Sequence, residues 1–378
     1  MNKAVIAGYT RSPFTPAYKG EMARVRPDEL ASQVVKALVE KTKVNPDDVE
    51  DLILGCAFPE GEQGLNVARL IGFLAKLPVT VAGQTVNRFC GSSMQAIHIA
   101  AGNIAAGAGE VFIAAGIESM SRVPMTGFNP LPHPGLFAEY PEAYENMGVT
   151  AENLAKKYKI KRVDQEQFAL ESHQKAVHAI EKGFYNDEIT PIKDGDKVIE
   201  KDGCVRAETT LEGLAGLRPA FDAKGSVTAG TSSPLTDGAS AVLVCSEEYA
   251  DKNGLEKLAA IRSFAVSGCA PEIMGIGPVG ATKKALARAG LELADMDIIE
   301  LNEAFSAQSM AVIQELGVDV SKVNLDGGAL AIGHPLGASG ARITGKAALL
   351  LKRSRERYAL STMCIGGGQG IATILEKV

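Results

Sequence analysis

Three landmarks in the last third of the chain repeat three in the first third at almost constant spacing. Asp48-Val-Glu-Asp-Leu-Ile-Leu is matched 247 residues later by Asp295-Met-Asp-Ile-Ile-Glu-Leu. Cys90-Gly-Ser-Ser and His334-Pro-Leu-Gly each open a helical pattern, 244 residues apart, and the apolar strands at Phe112 and Leu360 lie 248 residues apart. Generic strand–helix units matching by chance have no reason to keep one spacing three times. The chain is therefore expected to fold as two similar halves.

Within the first half, apolar runs at Lys3 to Ala7, Asp51 to Leu54, Val79 to Val86 and Val111 to Ala115 read as strands. Helical patterns fall between them, at Asp28 to Lys41, Gly64 to Ala75 and from Gly91 onward. Alternating strand and helix implies α/β layers. Residues 1–120 are expected to form the first half, completed by about 237–256, and residues 257–378 the second. Between them, 121–236 differs in character: it is Pro- and Gly-rich at Pro124 to Gly135, then reads as one charged helix from Thr150 to Lys182, then becomes turn-rich. This segment is expected to be a separate inserted unit covering the site.

The net charge of −6 and the absence of a basic cluster interleaved with aromatics argue against a nucleic-acid partner. Ala96 to Ile117 is apolar, but His98, Asn103, Glu110 and its glycines read as buried helix, turn and strand rather than a membrane span. The opening residues are too short an apolar run for a signal peptide, so the chain is expected to keep them. The six cysteines have neither C-x-x-C pairs nor regular spacing, which implies no metal site, no disulfide framework and a reducing, cytoplasmic setting.

Three positions stand out chemically. Cys90 precedes a helix, where free N–H groups and the helix dipole favour a thiolate nucleophile; a small buried hydrophobe is the bland alternative. His334, at the equivalent helix start of the second half, is expected near Cys90, where its imidazole can take a proton. Cys364 ends an apolar strand ahead of Ile365-Gly-Gly-Gly-Gln-Gly, a strand–glycine–strand hairpin whose bare amides, Gly366 included, suit an oxyanion hole. Asn302, in Asn302-Glu-Ala-Phe, emerges at a strand C-terminus, where α/β sites usually lie. The small and hydroxylated residues between Val227 and Val242 suit an amide-bearing arm, although taken alone they read first as a plain polar loop.

Taken together, Val86-Asn-Arg-Phe-Cys-Gly-Ser-Ser-Met-Gln-Ala-Ile, Gly116-Ile-Glu-Ser-Met-Ser, Met147-Gly-Val-Thr-Ala-Glu-Asn, Leu217-Arg-Pro-Ala-Phe, Asn302-Glu-Ala-Phe, Gly327-Gly-Ala-Leu-Ala-Ile-Gly-His-Pro-Leu-Gly-Ala-Ser-Gly and Cys364-Ile-Gly-Gly-Gly-Gln-Gly resemble the thiolase family along nearly the whole chain. The resemblance implies a duplicated α/β fold with five layers, αβαβα, and an inserted loop domain that binds coenzyme A. It implies Cys90 as the acyl-carrying nucleophile, His334 as the base for Cys90 and for the incoming coenzyme A thiol, and Cys364 as the group that handles the α-proton. One oxyanion site would use His334 and a water held by Asn302, the other the amides of Cys90 and Gly366. Coenzyme A contacts are implied at Ser233, Arg206, Met147, Ala304 and Phe305. Coenzyme A is a substrate here, and no cofactor or metal is expected.

Val227-Thr-Ala-Gly-Thr-Ser-Ser and Phe89-Cys-Gly-Ser-Ser-Met-Gln are more similar to the bacterial fatty-acid-degrading branch, which cleaves 3-ketoacyl-CoA, than to biosynthetic acetoacetyl-CoA members. Ala338 departs from the cysteine of many degradative members. A short Ser121 to Glu145 segment implies a homodimer, and the degradative branch implies a hydratase/dehydrogenase partner subunit. The rivals are a ketoacyl synthase, against which Cys364 in its glycine-rich turn speaks, and a non-catalytic acyl-CoA- or lipid-binding protein.

Overall fold

A computed structural model describes residues 2–378. Apart from a two-stranded ribbon of Ile192–Asp194 and Lys197–Ile199, its strands form one mixed, ten-stranded sheet whose two wings show the duplication directly in their hydrogen-bonded order. Starting from the middle, the first half runs Ala4–Arg11, Thr236–Ser246, Val111–Ser119, Asp51–Gly55 and Ala82–Val86. The second runs Ala259–Gly268, Gln369–Glu376, Tyr358–Ile365 and Ile298–Leu301, with Val323 bridged to Ile299 at the outer edge. Pairing senses correspond as well: Asp51–Gly55 runs parallel to Val111–Ser119 as Ile298–Leu301 does to Tyr358–Ile365, and the remaining pairs within each half's inner strands are antiparallel. Within the sheet, the halves are joined where Val5 and Ile6 pair with Ala260 and Ala259.

Three apolar clusters separate the layers. Outside the first half, Leu30, Val34, Val35 and Leu38 of the helix Pro27–Thr42 pack with Ile71 of Val67–Leu74 on one sheet face. Their three- and four-residue spacing explains the helix. Pro27 begins it and Lys43, in the left-handed region at φ 56°, ends it. Outside the second half, Ala281, Ala285 and Leu286 of Gly277–Ala289 and Val312 of Ser306–Leu316 do the same. Between the sheets lie the helix after Cys90, Ser92–Ala106, and the helix after His334, Leu336–Arg353, which share a cluster with residues from both halves. The result is the expected αβαβα stack.

The central helices approach closely because their facing positions are small. A Cβ on Gly340 would lie 2.4 Å from Met94 N, and one on Gly55 2.2 Å from Ser93 N. Ser93 Oγ accepts the Ala341 N–H at 2.8 Å, tying helix to helix across the pseudo-twofold. Residues 92–93 and 337–341 thus form the floor of the site.

Two sequence expectations change. The charged helix over 150–182 is two helices, Met147–Tyr158 and Arg162–Glu181, because Lys159 turns left-handed at φ 56° and its N–H caps the first of them. The first strand runs on to Arg11, whose guanidinium is buried between Glu188 and Asp202 at 2.7–2.9 Å, so that part of the 121–236 segment is locked to the sheet by ions. Among the described residues, no helix is long and apolar enough to cross a membrane.

Candidate active site

Cys90 sits on a sharp bend between the strand Ala82–Val86 and its helix. Phe89 is held in the left-handed region at φ 42°, and the bend is fixed by Asn87 Oδ1 accepting the Phe89 N–H and Ser92 Oγ accepting the Arg88 N–H, each at 2.8 Å. A Cβ on Gly91 would come within 2.6 Å of Ile365, so the bend rests against the residue after Cys364. There the Gly366 amide lies close enough to Cys90 to favour its charged form, and charge on Cys90 is felt by Cys364, which is buried. The structure therefore brings Cys90, Cys364 and Gly366 together.

Sheet register supplies the next group. Leu301 pairs with Thr362 and Asn302 N–H donates to Thr362 O at 3.1 Å, so Asn302 and Cys364 leave adjacent parallel strands at the same end. Asn302 is fully buried; its Nδ2 lies 3.4 Å from His334 Nε2 and its Oδ1 has no partner. A buried amide oxygen without a partner is costly, and a water or a substrate polar group would satisfy it.

His334 is held from behind. Its backbone N–H donates to Thr236 Oγ1 at 3.0 Å and its Nδ1 meets Ser339 Oγ. Ser339 gives its own hydroxyl proton to Pro335 O at 3.0 Å, so it must accept from Nδ1–H. That fixes the tautomer and leaves the Nε2 lone pair on the side facing Asn302. Burial and the Arg342 charge push His334 down to about 3, so it rests as a neutral imidazole able to take a proton.

For Cys90, burial outweighs the helix. The helix proper begins at Ser92 with Gly91 as its cap, and the amides that favour charge on the sulfur are those of Gly366 and Cys90 itself, not those of the helix. Desolvation pushes the thiol up to about 12, opposed chiefly by the Gly366 amide. The expected resting thiolate is corrected to a resting thiol. Cys364 is also raised, by burial and by Cys90 beside it.

A cleft of about 270 Å³ opens between residues 203–217 and 229–234, with Arg206, Leu217, Ser232 and His173 in its wall. The implied coenzyme A contacts divide between this cleft and the strip leading inward. Arg206 lines the cleft; Ser233 N–H donates to Ala304 O at 2.9 Å, and Ser232 bridges Phe305, so two loops form one wall. Phe221 stacks edge-on against Phe305 at 5.9 Å, and Met147 Sδ would lie 3.5 Å from a Cβ on Gly366, at the inner end.

Sequence reasoning passed over three groups. His173 accepts the Arg206 N–H at 3.2 Å from within the helix Arg162–Glu181, and burial pushes it down to about 4. Ser339 was visible in the His334 motif, but only the turn geometry shows its bond. Glu118 lay unremarked in Gly116-Ile-Glu-Ser. Among the described residues, no group of three or more His, Cys, Asp or Glu is placed to hold a metal.

The thiolase N-terminal domain profile matches residues 4–248 and the C-terminal domain profile residues 255–377. A 3-ketoacyl-CoA thiolase of Bacillus subtilis (strain 168) is 48% identical over 100% of both chains, and one of Marinobacter nauticus is 49% identical over 99% of this chain and 98% of its own. Human mitochondrial 3-ketoacyl-CoA thiolase in complex with CoA superposes with a TM-score of 0.93 at 38% identity, covering 100% of this chain and 98% of the other. A Bacillus anthracis acetyl-CoA acetyltransferase gives 0.93 at 41% identity, covering 100% and 99%. A duplicated sheet that converges two cysteines, a histidine and an asparagine, and that both halves of one family match from end to end, makes this chain a member of the thiolase family.

Proposed function

We propose that this chain is a 3-ketoacyl-CoA thiolase of fatty-acid β-oxidation: it cleaves 3-ketoacyl-CoA with coenzyme A to give acetyl-CoA and an acyl-CoA two carbons shorter. The observation that carries the chemistry is the meeting of Cys90 Sγ, the Gly366 amide and Cys364 beside the neutral His334–Asn302 pair. The full-length likeness to bacterial 3-ketoacyl-CoA thiolases supports the degradative substrate class.

As Cys90 attacks the 3-keto carbon its proton passes to His334 Nε2, and the new imidazolium, with a water on Asn302 Oδ1, stabilises one oxyanion. Breaking the C2–C3 bond leaves acyl-Cys90 and the enolate of acetyl-CoA, whose C2 takes the Cys364 proton. His334 then reprotonates Cys364 and is free again. It next takes the proton of the coenzyme A thiol; that sulfur attacks the thioester, whose oxyanion faces the Cys90 and Gly366 amides. Cys90 leaves and recovers its proton from His334. Atoms balance and no proton is consumed overall.

Residues 121–236 serve as the unit that receives coenzyme A, with Arg206 toward the nucleotide end and Ser233, Ala304, Phe305 and Met147 along the arm. A homodimer is supported by the edge strand Ala82–Val86, unpaired on its outer side, beside exposed Leu65, Leu70, Phe73, Leu74 and Val79. The proposed setting is the bacterial cytoplasm, with a hydratase/dehydrogenase subunit as the partner that supplies 3-ketoacyl-CoA. The structural likeness to an acetyl-CoA acetyltransferase favours one second reading, acetoacetyl-CoA chemistry in the synthetic direction. Consumption of 3-ketoacyl-CoA by the purified protein with coenzyme A, from C4 to C16, separates them. Turnover of medium and long chains, lost in Cys90→Ala, is expected; activity confined to C4 would move the reading to acetoacetyl-CoA, and binding without turnover to a binding protein.

A further inference from the structure

Glu118 is a buried carboxylate, 1% exposed, at the end of the strand Val111–Ser119. Its Oε2 accepts the Ala57 N–H at 2.8 Å and the Gly337 N–H at 2.9 Å. Its Oε1 accepts from Gln63 Nε2 at 2.8 Å, from Phe58 N–H at 3.3 Å and from the Cys56 thiol at 3.8 Å. Burial pushes the Glu118 carboxyl up, and the bonds from Ala57, Gly337, Gln63 and Phe58 oppose it; all five partners are donors, so the ionised carboxylate is the form the hydrogen bonding fits. Gly337 lies in the first turn of the His334 helix, whereas Cys56, Ala57 and Phe58 follow the strand Asp51–Gly55, which rests on the start of the Cys90 helix. One anion thus spans the seam between the halves, directly behind both catalytic loops. Glycine is required around it: a Cβ on Gly337 would lie 2.6 Å from Ile117 O, and one on Gly116 2.3 Å from Gly337 O.

We propose that Glu118 is a positioning residue with two roles: it pins the His334 helix start to the Cys90 half, and the anion it thereby places behind Cys90 adds to burial in holding that sulfur as a thiol until substrate and His334 together take the proton. Of the charged groups, Glu118 opposes ionisation of Cys90, while the amides of Gly366 and of Cys90 itself favour it; Cys364, from the opposite half, is itself a neutral thiol. A resting thiolate would be open to alkylation and oxidation, because Cys90 as a residue is only half-buried. The anion and the burial act in the same direction, and catalysis is left to the neutral imidazole.

The inference rests on Cys90 as the nucleophile, and its two roles separate experimentally. Alkylation of Cys90 by iodoacetamide is followed against pH by peptide mass spectrometry, with kcat and KM on 3-ketoacyl-CoA alongside. Glu118→Gln removes the charge: Cys90 is expected to alkylate three- to tenfold faster at pH 7.5, its profile moving to lower pH, with kcat down at least tenfold and KM within twofold. Glu118→Asp keeps the charge but withdraws it: the alkylation profile is expected to stay at wild type while kcat falls. Equal alkylation profiles and equal kcat in wild type, Gln and Asp proteins would overturn the proposal. A Gln protein that does not fold leaves the Asp protein decisive, since a shifted Asp profile or an undiminished kcat also contradicts it. Absence of 3-ketoacyl-CoA turnover in the wild type would instead count against the proposed function, because the alkylation readout needs no acyl substrate.

Discussion

At the scale of single residues the site works by separating proton tasks between groups that all rest neutral. In the proposed mechanism Cys364 is needed only where carbon is protonated or deprotonated. Cys364→Ala is therefore expected to keep exchange of simple acyl groups between Cys90 and coenzyme A, while cleavage of 3-ketoacyl-CoA falls at least 100-fold. Equal loss in both assays would refute the division. Ser339→Ala frees Nδ1 of His334 and lets the other tautomer form; kcat should drop roughly 10- to 100-fold with KM little changed, because orientation of a catalytic imidazole acts on the transition state. The residue types and their places were legible in the sequence, since Cys90, His334, Asn302 and Cys364 each stand at the end of an apolar run. Their protonation was not. The helix start after Cys90 suggested a thiolate, but the balance is set by desolvation from Ile365 and the far half, which no local pattern reveals.

At the scale of elements the two central helices matter most, because their N-termini are the floor on which both loops stand. Gly340→Ala places a methyl against Met94 backbone at 2.4 Å, where no flexible side chain can yield. The helices must part, and a loss of about 1–3 kcal/mol in urea unfolding is expected, together with lower kcat. Unchanged stability and activity would show the contact to be slack. The repeat spacing made these helices and their opposition readable before any coordinates. The inserted segment was less readable: the break at Lys159 carries no glycine or proline, and a lysine in the left-handed region leaves no mark in the periodicity. Glu118 escaped because its partners lie 55 to 219 residues away in sequence.

For the molecule as a whole, burying titratable groups in a stacked core has a cost in acid. His98 and His334 are pushed down to about 3 and His173 to about 4, chiefly by burial. Below about pH 6.5 the unfolded chain takes up protons that the folded one refuses, so stability present at neutral pH is lost as pH falls toward those values. His98 stacks on Phe264 at 4.4 Å and bonds Thr373 Oγ1 at 2.7 Å, has no part in the proposed mechanism, and is the residue with which to test this. His98→Gln keeps a polar partner for Thr373 and should flatten the dependence of unfolding free energy between pH 6 and 4 by about 1.4 kcal/mol per pH unit. An identical slope would place the acid sensitivity elsewhere.

In the proposed function all of these scales serve one event, transfer of the shortened acyl group to Cys90. The most direct measurement is peptide mass spectrometry after incubating the protein with a medium-chain 3-ketoacyl-CoA in the absence of free coenzyme A. The account predicts an acyl group two carbons shorter than the substrate on the peptide containing Cys90, released when coenzyme A is added. Cleavage of substrate with Cys90 unmodified, or the acyl group found on Cys364, would contradict it.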